Sequence, residues 1–441
     1  MRNSYNIIKS RILASDVTKR LTSGAIWSFT GTALAKLIVL IASIFCARIL
    51  GKELFGEFGM VRSTINMFVV LGSAGLGITA TKYIAEYKGT QKDRVASIYL
   101  LTTIFAVLTG LIVTVAILLL ADYLAIESLQ SPHLSSSLKC GALLLFVTVI
   151  NASQTGVLSG LENFKSIAIN TFIGSLFESV FMLIGASYYG VLGAVLGFGI
   201  GFIAIYIANV LSIKKSFKRM NLVVKMYALN LNDLKVLYKF SLPALLSSMI
   251  IPPVYWVIRM MIVNKNGYGE LAIYEAADQW KIIILFIPTA VSQIILPILS
   301  SLVKTDKTKY WKVLKINILI NGLVALVMVG LVACFSQYIM KAYGSSFENV
   351  MPLIILAIST IFTAVSNVVG LAIASKSQMW IGFLFNIFWG IVLVLSAYYL
   401  IEKGYGSVGV ALSILFAYIL HSFIQIIYLK HLRIIENKNK L

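Results

Sequence analysis

Charge is scarce in this chain, and negative charge is scarcer still. Only 12% of its 441 residues are charged, and 17 acids stand against 37 lysines and arginines. A soluble domain carries roughly 25% charged residues, so this composition excludes an ordinary globular protein in water. Cysteine and histidine are equally sparse, at three each. Cys46, Cys140 and Cys334 lie in or beside apolar runs, with no spacing suited to a metal or a disulfide framework. The sequence has no glycine-rich phosphate loop, HExxH or GxSxG motif on a polar segment, and no ATP-binding domain. Those absences count against a soluble-type enzyme or an ATP-driven pump. No cofactor is expected, and any transport work would draw on an ion gradient, the membrane potential or downstream consumption of the product.

What the chain has instead is apolar surface: 59% of it is hydrophobic. At roughly 20 residues per crossing, its length accommodates about twelve membrane-spanning helices. Hydropathy places them near 24–50, 58–81, 95–120, 139–160, 166–188, 192–212, 240–263, 273–301, 313–336, 350–374, 380–400 and 408–429. The first run is too long for a signal-peptide core and lacks a small-residue cleavage site, so it reads as a retained helix. Residues 1–22 mix Ile7, Ile8, Ile12, Leu13 and Val17 with Lys9, Arg11, Lys19 and Arg20. That pattern suits either a surface amphipathic helix or a basic tail.

Lysine and arginine sort to one side of this arrangement. Alternate connecting segments, beginning with the N-terminus, carry 27 of them, and the opposite segments carry five: Lys52, Lys139, Lys265, Lys341 and Lys403. The bias puts both termini in the cytoplasm and calls for an even number of spans. It also explains the net charge of +20 through topology and contact with anionic lipid, leaving no call for nucleic-acid binding. The longest outside loop, about 121–138, is small for an external active site.

The two halves are related by a shift of 216 residues. The shift pairs Phe164 with Trp380, Asn170 with Asn386, Phe172 with Phe388 and Gly174 with Gly390, and it aligns Tyr189, Gly190 and Gly193 with Tyr405, Gly406 and Gly409. Each half holds six spans, so the repeat is parallel, as in many transporters. The expected organisation is all-α: a basic cytoplasmic segment (1–23), an N-lobe (24–212), a basic cytoplasmic linker (213–239), a C-lobe (240–429) and a basic tail (430–441).

The informative residues are the ionisable groups within spans, which are costly in lipid and face a bundle interior or a wet cavity. Lys36 is nearest mid-helix, roughly 18 Å from Gly24 at 1.5 Å per residue, farther than its side chain snorkels. Facing lipid there would cost about 2.5–3.5 kcal/mol. Arg48 and Arg259 lie late in the first and seventh spans, at the end that topology makes unfavourable for cations. Arg62 and Lys281 lie one to two turns inside the second and eighth, and Glu275 and Asp278 precede Lys281 closely enough to pair with it. Glu178 is the lone mid-span acid, placed to balance a cation or carry a coupling proton. Together they outline a cavity with basic walls, suited to an anionic ligand. Pro243, Pro252, Pro253, Pro288 and Pro297 mark the seventh and eighth helices as bent, and as candidates for moving elements.

The segment SGAIWSFTGTALAKLIVLIASIFCARILGKELFGEFGMVRS (23–63) resembles the Wzx-type polysaccharide flippases of the MOP superfamily, most specifically in its ARILGKELFGEF turn. GYGELAIYEAADQ (267–279), YGSSFENVMPLIILA (343–357) and GVLSGLENFK (156–165) resemble the family's other connecting turns. The resemblance runs over nearly the whole chain. It implies two six-helix lobes around a central cavity with alternating access, in a bacterial or archaeal cytoplasmic (inner) membrane. It also implies a polyprenyl-diphosphate-linked oligosaccharide, such as an O-antigen repeat unit, as the molecule flipped, with a surface-glycan polymerase and its assembly machinery as partners beside membrane lipids. Related lipid II flippases use cavity arginines, including first-helix ones, for the diphosphate. Lys36, 12 residues before the Arg48 of ARILG, is at a comparable place, with lysine for arginine. The expected ligand-binding set is therefore Lys36, Arg48, Arg62, Arg259 and Lys281, with Glu178 for coupling or charge balance. The alternatives are a MATE-like small-molecule exporter and a membrane enzyme of surface-glycan assembly. MATE exporters rely on acidic cavity groups, and the first span has none.

Overall fold

A computed structural model describes residues 16–73, 75–89, 91–222, 224, 249–376 and 378–438. The rest of the expected N-terminal segment (1–15), linker (223 and 225–239), seventh span (240–248, with Pro243) and tail (439–441) lies outside the described residues.

All described elements are helical. In chain order they are α1 (Asp16–Leu50), α2 (Lys52–Ser73), α3 (Leu76–Tyr87), α4 (Lys92–Tyr123), α5 (Leu134–Gly160), α6 (Phe164–Arg219), α7 (Ile251–Asn266) and α8 (Tyr268–Ile284). They continue with α9 (Phe286–Thr305), α10 (Lys307–Cys334), α11 (Ser336–Tyr343), α12 (Met351–Ser375), α13 (Met379–Glu402) and α14 (Gly406–Lys438). A single π turn, Leu124–Ser128, follows α4. Among the described residues, nine helices are long and apolar enough to cross a membrane. The chain is an all-α, multi-pass membrane protein. Large side chains such as Leu119, Tyr188, Trp380 and Leu395 stand exposed on the outer faces of these helices, where lipid replaces water.

Three expected segments differ from single straight helices. The second is broken between α2 and α3, where Gly75 takes φ 68°. The eighth is split at Leu285 into α8 and α9. Pro288 causes this break, because it has no N–H to offer the carbonyl of Ile284. The fifth and sixth run together as the 56 residues of α6, but the backbone is non-helical at Tyr189 and Gly190. Gly190 has φ 57° and ψ −135°, a combination essentially confined to glycine. Its repeat mate Gly406, which opens α14, also has positive φ, at 48°. The shared YGxxG pattern thus marks a turn at which both halves place a glycine with positive φ.

Helices pack mainly within each half: α1, α4 and α5 on α6 or on one another, and α12 on α10 and α14, with α13 on α14. Contact between halves is carried chiefly by α2 against α8, supported by α2 against α7. The α1 C-terminal end of this seam is packed shut. There Phe55 meets Tyr343 and Phe347, each at a ring separation of 6.2 Å. Beside them the Tyr268 hydroxyl donates to the Leu129 carbonyl at 3.0 Å.

Candidate functional site

Beneath that closed layer lies a cavity of about 790 Å³ between the two halves. Lys36 reaches it from α1, Arg62 from α2, Glu178 from α6, Arg259 from α7, and Glu275, Asp278 and Lys281 from α8. Five of the six expected site residues therefore share one space, although they come from positions 36 to 281 of the sequence. The helical repeat explains the local grouping. Arg259 follows Tyr255 by four residues on α7, and Asp278 and Lys281 are three apart on α8, so each pair shares a face.

Arg48 is the exception. Its Nε donates to the carbonyl of Ala342 at 2.5 Å in an exposed setting, and it does not line the cavity. It sits in the closed layer, bridging the first half to α11. The structure therefore does not bring it together with the other expected cations, because it lies at the last turn of α1.

Most of the cavity charge is internally paired. The Arg259 Nε lies 2.6 Å from Glu275 Oε1, and its Nη2 lies 3.1 Å from Asp278 Oδ2. Its Nη1 donates to the Tyr255 carbonyl at 3.1 Å, and its guanidinium lies 5.0 Å from the Tyr274 ring centre. Arg62 crosses from the other half, with Nη2 3.2 Å from Glu275 Oε2. Lys281 pairs with Asp278 and lies 3.4 Å from the Tyr255 hydroxyl. Gly59 makes room for this cluster, since a Cβ there would come within 2.6 Å of the Glu275 Cγ. Two carboxylates thus hold three cations in a water-poor seam, where leaving any of them unmatched is expensive.

Lys36 and Glu178 stand apart. Both line the cavity, and among the described residues neither has a hydrogen-bond or ion-pair partner. With all seven groups ionised, four cations and three acids leave the cavity one positive charge in excess. The sequence reading of basic walls overstated the free charge, because it used Glu275 and Asp278 only as neighbours of Lys281. The available signal was that both acids fall inside an apolar span, where an acid needs a partner of its own.

A family profile described as "Polysaccharide biosynthesis protein" matches residues 21–303, well over half of the chain. The chain belongs to the polysaccharide biosynthesis protein family. Members in the same neighbourhood include the EPS I polysaccharide export inner membrane protein EpsE of Ralstonia nicotianae. The two are 27% identical over 189 residues, which span 41% of this chain and only 43% of that relative. A Shigella flexneri protein assigned as an O-antigen transporter is 22% identical over 429 residues, covering 95% of this chain and all of the relative. The fold itself is that of a multidrug resistance MATE family transporter of the MOP superfamily, solved in an inward-facing conformation. The TM-score is 0.80 at 16% identity, covering 92% of this chain and 96% of that one. The matched segment spans less than half the length of EpsE, so what these comparisons give is the family and the fold: a multi-pass membrane protein with a cavity between its two halves.

Proposed function

We propose that this family member flips a polyprenyl-diphosphate-linked oligosaccharide from the cytoplasmic to the outer leaflet by alternating access. The observation that carries the reading is Lys36: a mid-helix cation with no protein partner among the described residues, lining the interlobe cavity of a polysaccharide-family chain. An anionic diphosphate supplies the missing counter-charge, and a charge-assisted contact is about twice as strong as one between neutral groups. The basic segments on the N-terminal side set the orientation. In that orientation the closed layer of Phe55, Tyr343 and Phe347 faces outward and the cavity lies on the cytoplasmic side of it.

Arg62 connects ligand to movement in this reading. It is the cation that reaches Glu275 from the other half. A diphosphate drawing Arg62 away would loosen the α2–α8 seam, while Arg259 retains both carboxylates. Glu178 is the group available to take up a proton or balance Lys36 between cycles.

A second reading has one observation behind it. Glu178 is an acid in the cavity with no hydrogen-bond or ion-pair partner among the described residues, which an exporter of organic cations would use. The two readings separate in a deletion strain complemented with variants. Surface glycan should be lost with Lys36→Ala and Lys36→Glu at normal membrane abundance, and partly kept with Lys36→Arg, because a point charge suffices for that contact. Normal glycan export by Lys36→Ala would refute the flippase reading, and dye resistance that depends on Glu178 would favour the exporter.

A further inference from the structure

The repeat that relates the two halves is broken at one place, and the break makes a second cavity. In the first half, Asn170 and Asn209 close on each other, with Nδ2 to Oδ1 at 2.8 Å, and Asn170 also donates to Ser212 at 3.1 Å. The 216-residue shift carries these two asparagines onto Asn386 and Gln425, and carries Ile205 onto His421. In the second half the amides do not meet. Asn386, His421 and Gln425 instead line a space of about 450 Å³ between α9, α12, α13 and α14.

Among the described residues the lining of this space has no Asp, Glu, Lys or Arg, unlike that of the charged cavity. It combines hydroxyls, amides and an imidazole with the rings of Trp389, Tyr418 and Phe383. His421 and Gln425 are 5% and 3% exposed, and they bond to each other at 3.1 Å. Even so, the His421 Nδ1, Gln425 Oε1 and Trp389 Nε1 atoms are buried without a partner among the described residues. Buried polar atoms are normally satisfied, so three unsatisfied ones beside a cavity call for a polar guest. The space lies next to the charged cavity. Ile251 lines both, and a ring path runs from Tyr255 to Trp389 at 5.6 Å and on to Tyr418 at 5.4 Å.

We infer that this second-half pocket is a glycan subsite. Neutral amide and imidazole groups beside aromatic faces match what a sugar presents: hydroxyls that both donate and accept around its edge, and apolar C–H faces. The inference rests on the flippase reading. The diphosphate sits by Lys36 in the charged cavity, and the first sugars of the same molecule reach the adjacent neutral pocket, beside the residue Ile251 that lines both. The first half closes its own amides on each other, so the sugar lies to the second-half side of the seam.

The test uses the full chain in lipid nanodiscs and two probes: sugar-free polyprenyl diphosphate, and the lipid-linked repeat units extracted from a strain deleted for this protein. The variants are Gln425→Leu and Asn386→Leu, which keep approximate size and remove the hydrogen-bonding groups. Each should weaken the glycan-bearing probe by tenfold or more and leave the sugar-free probe within about twofold. Asn170→Leu, in the closed pair, should not distinguish the two probes. Equal binding of both probes to wild type and to both Leu variants overturns the glycan subsite and leaves the flippase reading standing. Wild-type protein that binds neither probe overturns the flippase reading itself. A parallel loss of both probes in the Leu variants marks Asn386 and Gln425 as structural and overturns the subsite.

Discussion

Removing Arg259 should unfold this protein more readily than removing any other cavity cation, because Arg259 is the hub of the charge cluster. Its side chain is only 9% exposed and satisfies both Glu275 and Asp278. In Arg259→Ala, Glu275 keeps only Arg62 and Asp278 keeps only Lys281. Breaking a buried pair by deleting one partner costs about 3–5 kcal/mol, and the Tyr274 and Tyr255 rings also lose a cation at 5.0 and 5.8 Å. Arg62 is the internal control. It makes one ion pair at 3.2 Å and is 19% exposed, so Arg62→Ala should cost about 1.5 kcal/mol, near the low end for a bond between charged groups. Arg259→Lys should fall in between, since a single ammonium cannot engage two carboxylates as a guanidinium fork does. Unfolding of the purified protein by added SDS, alongside membrane abundance, reads the order. An Arg259→Ala protein as stable as wild type, or an Arg62→Ala protein less stable than Arg259→Ala, would refute the hub.

Two further outcomes follow from the backbone and the topology. Gly190→Ala should destabilise by about 1–3 kcal/mol even though no atom lies within 4 Å of the added Cβ, because φ 57° with ψ −135° is strained for any other residue; an unchanged unfolding midpoint would show that the turn relaxes. In a cysteine-free background, a cysteine at exposed Glu127 should react with an impermeant thiol reagent added outside, and one at exposed Lys218 should react only after the membrane is opened. Reversed labelling would overturn the orientation.

Much of the architecture was legible because a lipid environment makes hydropathy decisive. Each apolar run must satisfy its backbone internally, so the runs became helices. The repeat was legible through glycines, and Gly190 and Gly406 proved to share positive φ. The break at Leu285 lies three residues before Pro288, one of the prolines that mark the eighth helix as bent, whereas the break at Gly75 was hidden inside an apolar run, because a window average is blind to one glycine. Placing charges mid-span was enough to gather Lys36, Arg62, Glu178, Arg259 and Lys281 around one cavity. What it did not show was which charges are already spent on each other. The Arg62–Glu275 contact joins residues 213 apart in sequence, and only the packing of α2 on α8 creates it. Arg48 lies elsewhere because at the last turn of α1 the Ala342 carbonyl on α11, 294 residues away in sequence, is within its reach. The second-half pocket was invisible because it comes from amides that do not meet, a feature no residue type announces.

Flipping itself is the most direct measurement. Wild-type protein reconstituted into liposomes with fluorescently tagged polyprenyl-diphosphate-linked oligosaccharide should speed the appearance of tag that a membrane-impermeant quencher can reach. Lys36→Ala at equal reconstitution should leave only the protein-free rate. Tag that stays at the protein-free rate with wild type, while the same vesicles accumulate or expel an organic cation, would contradict the account.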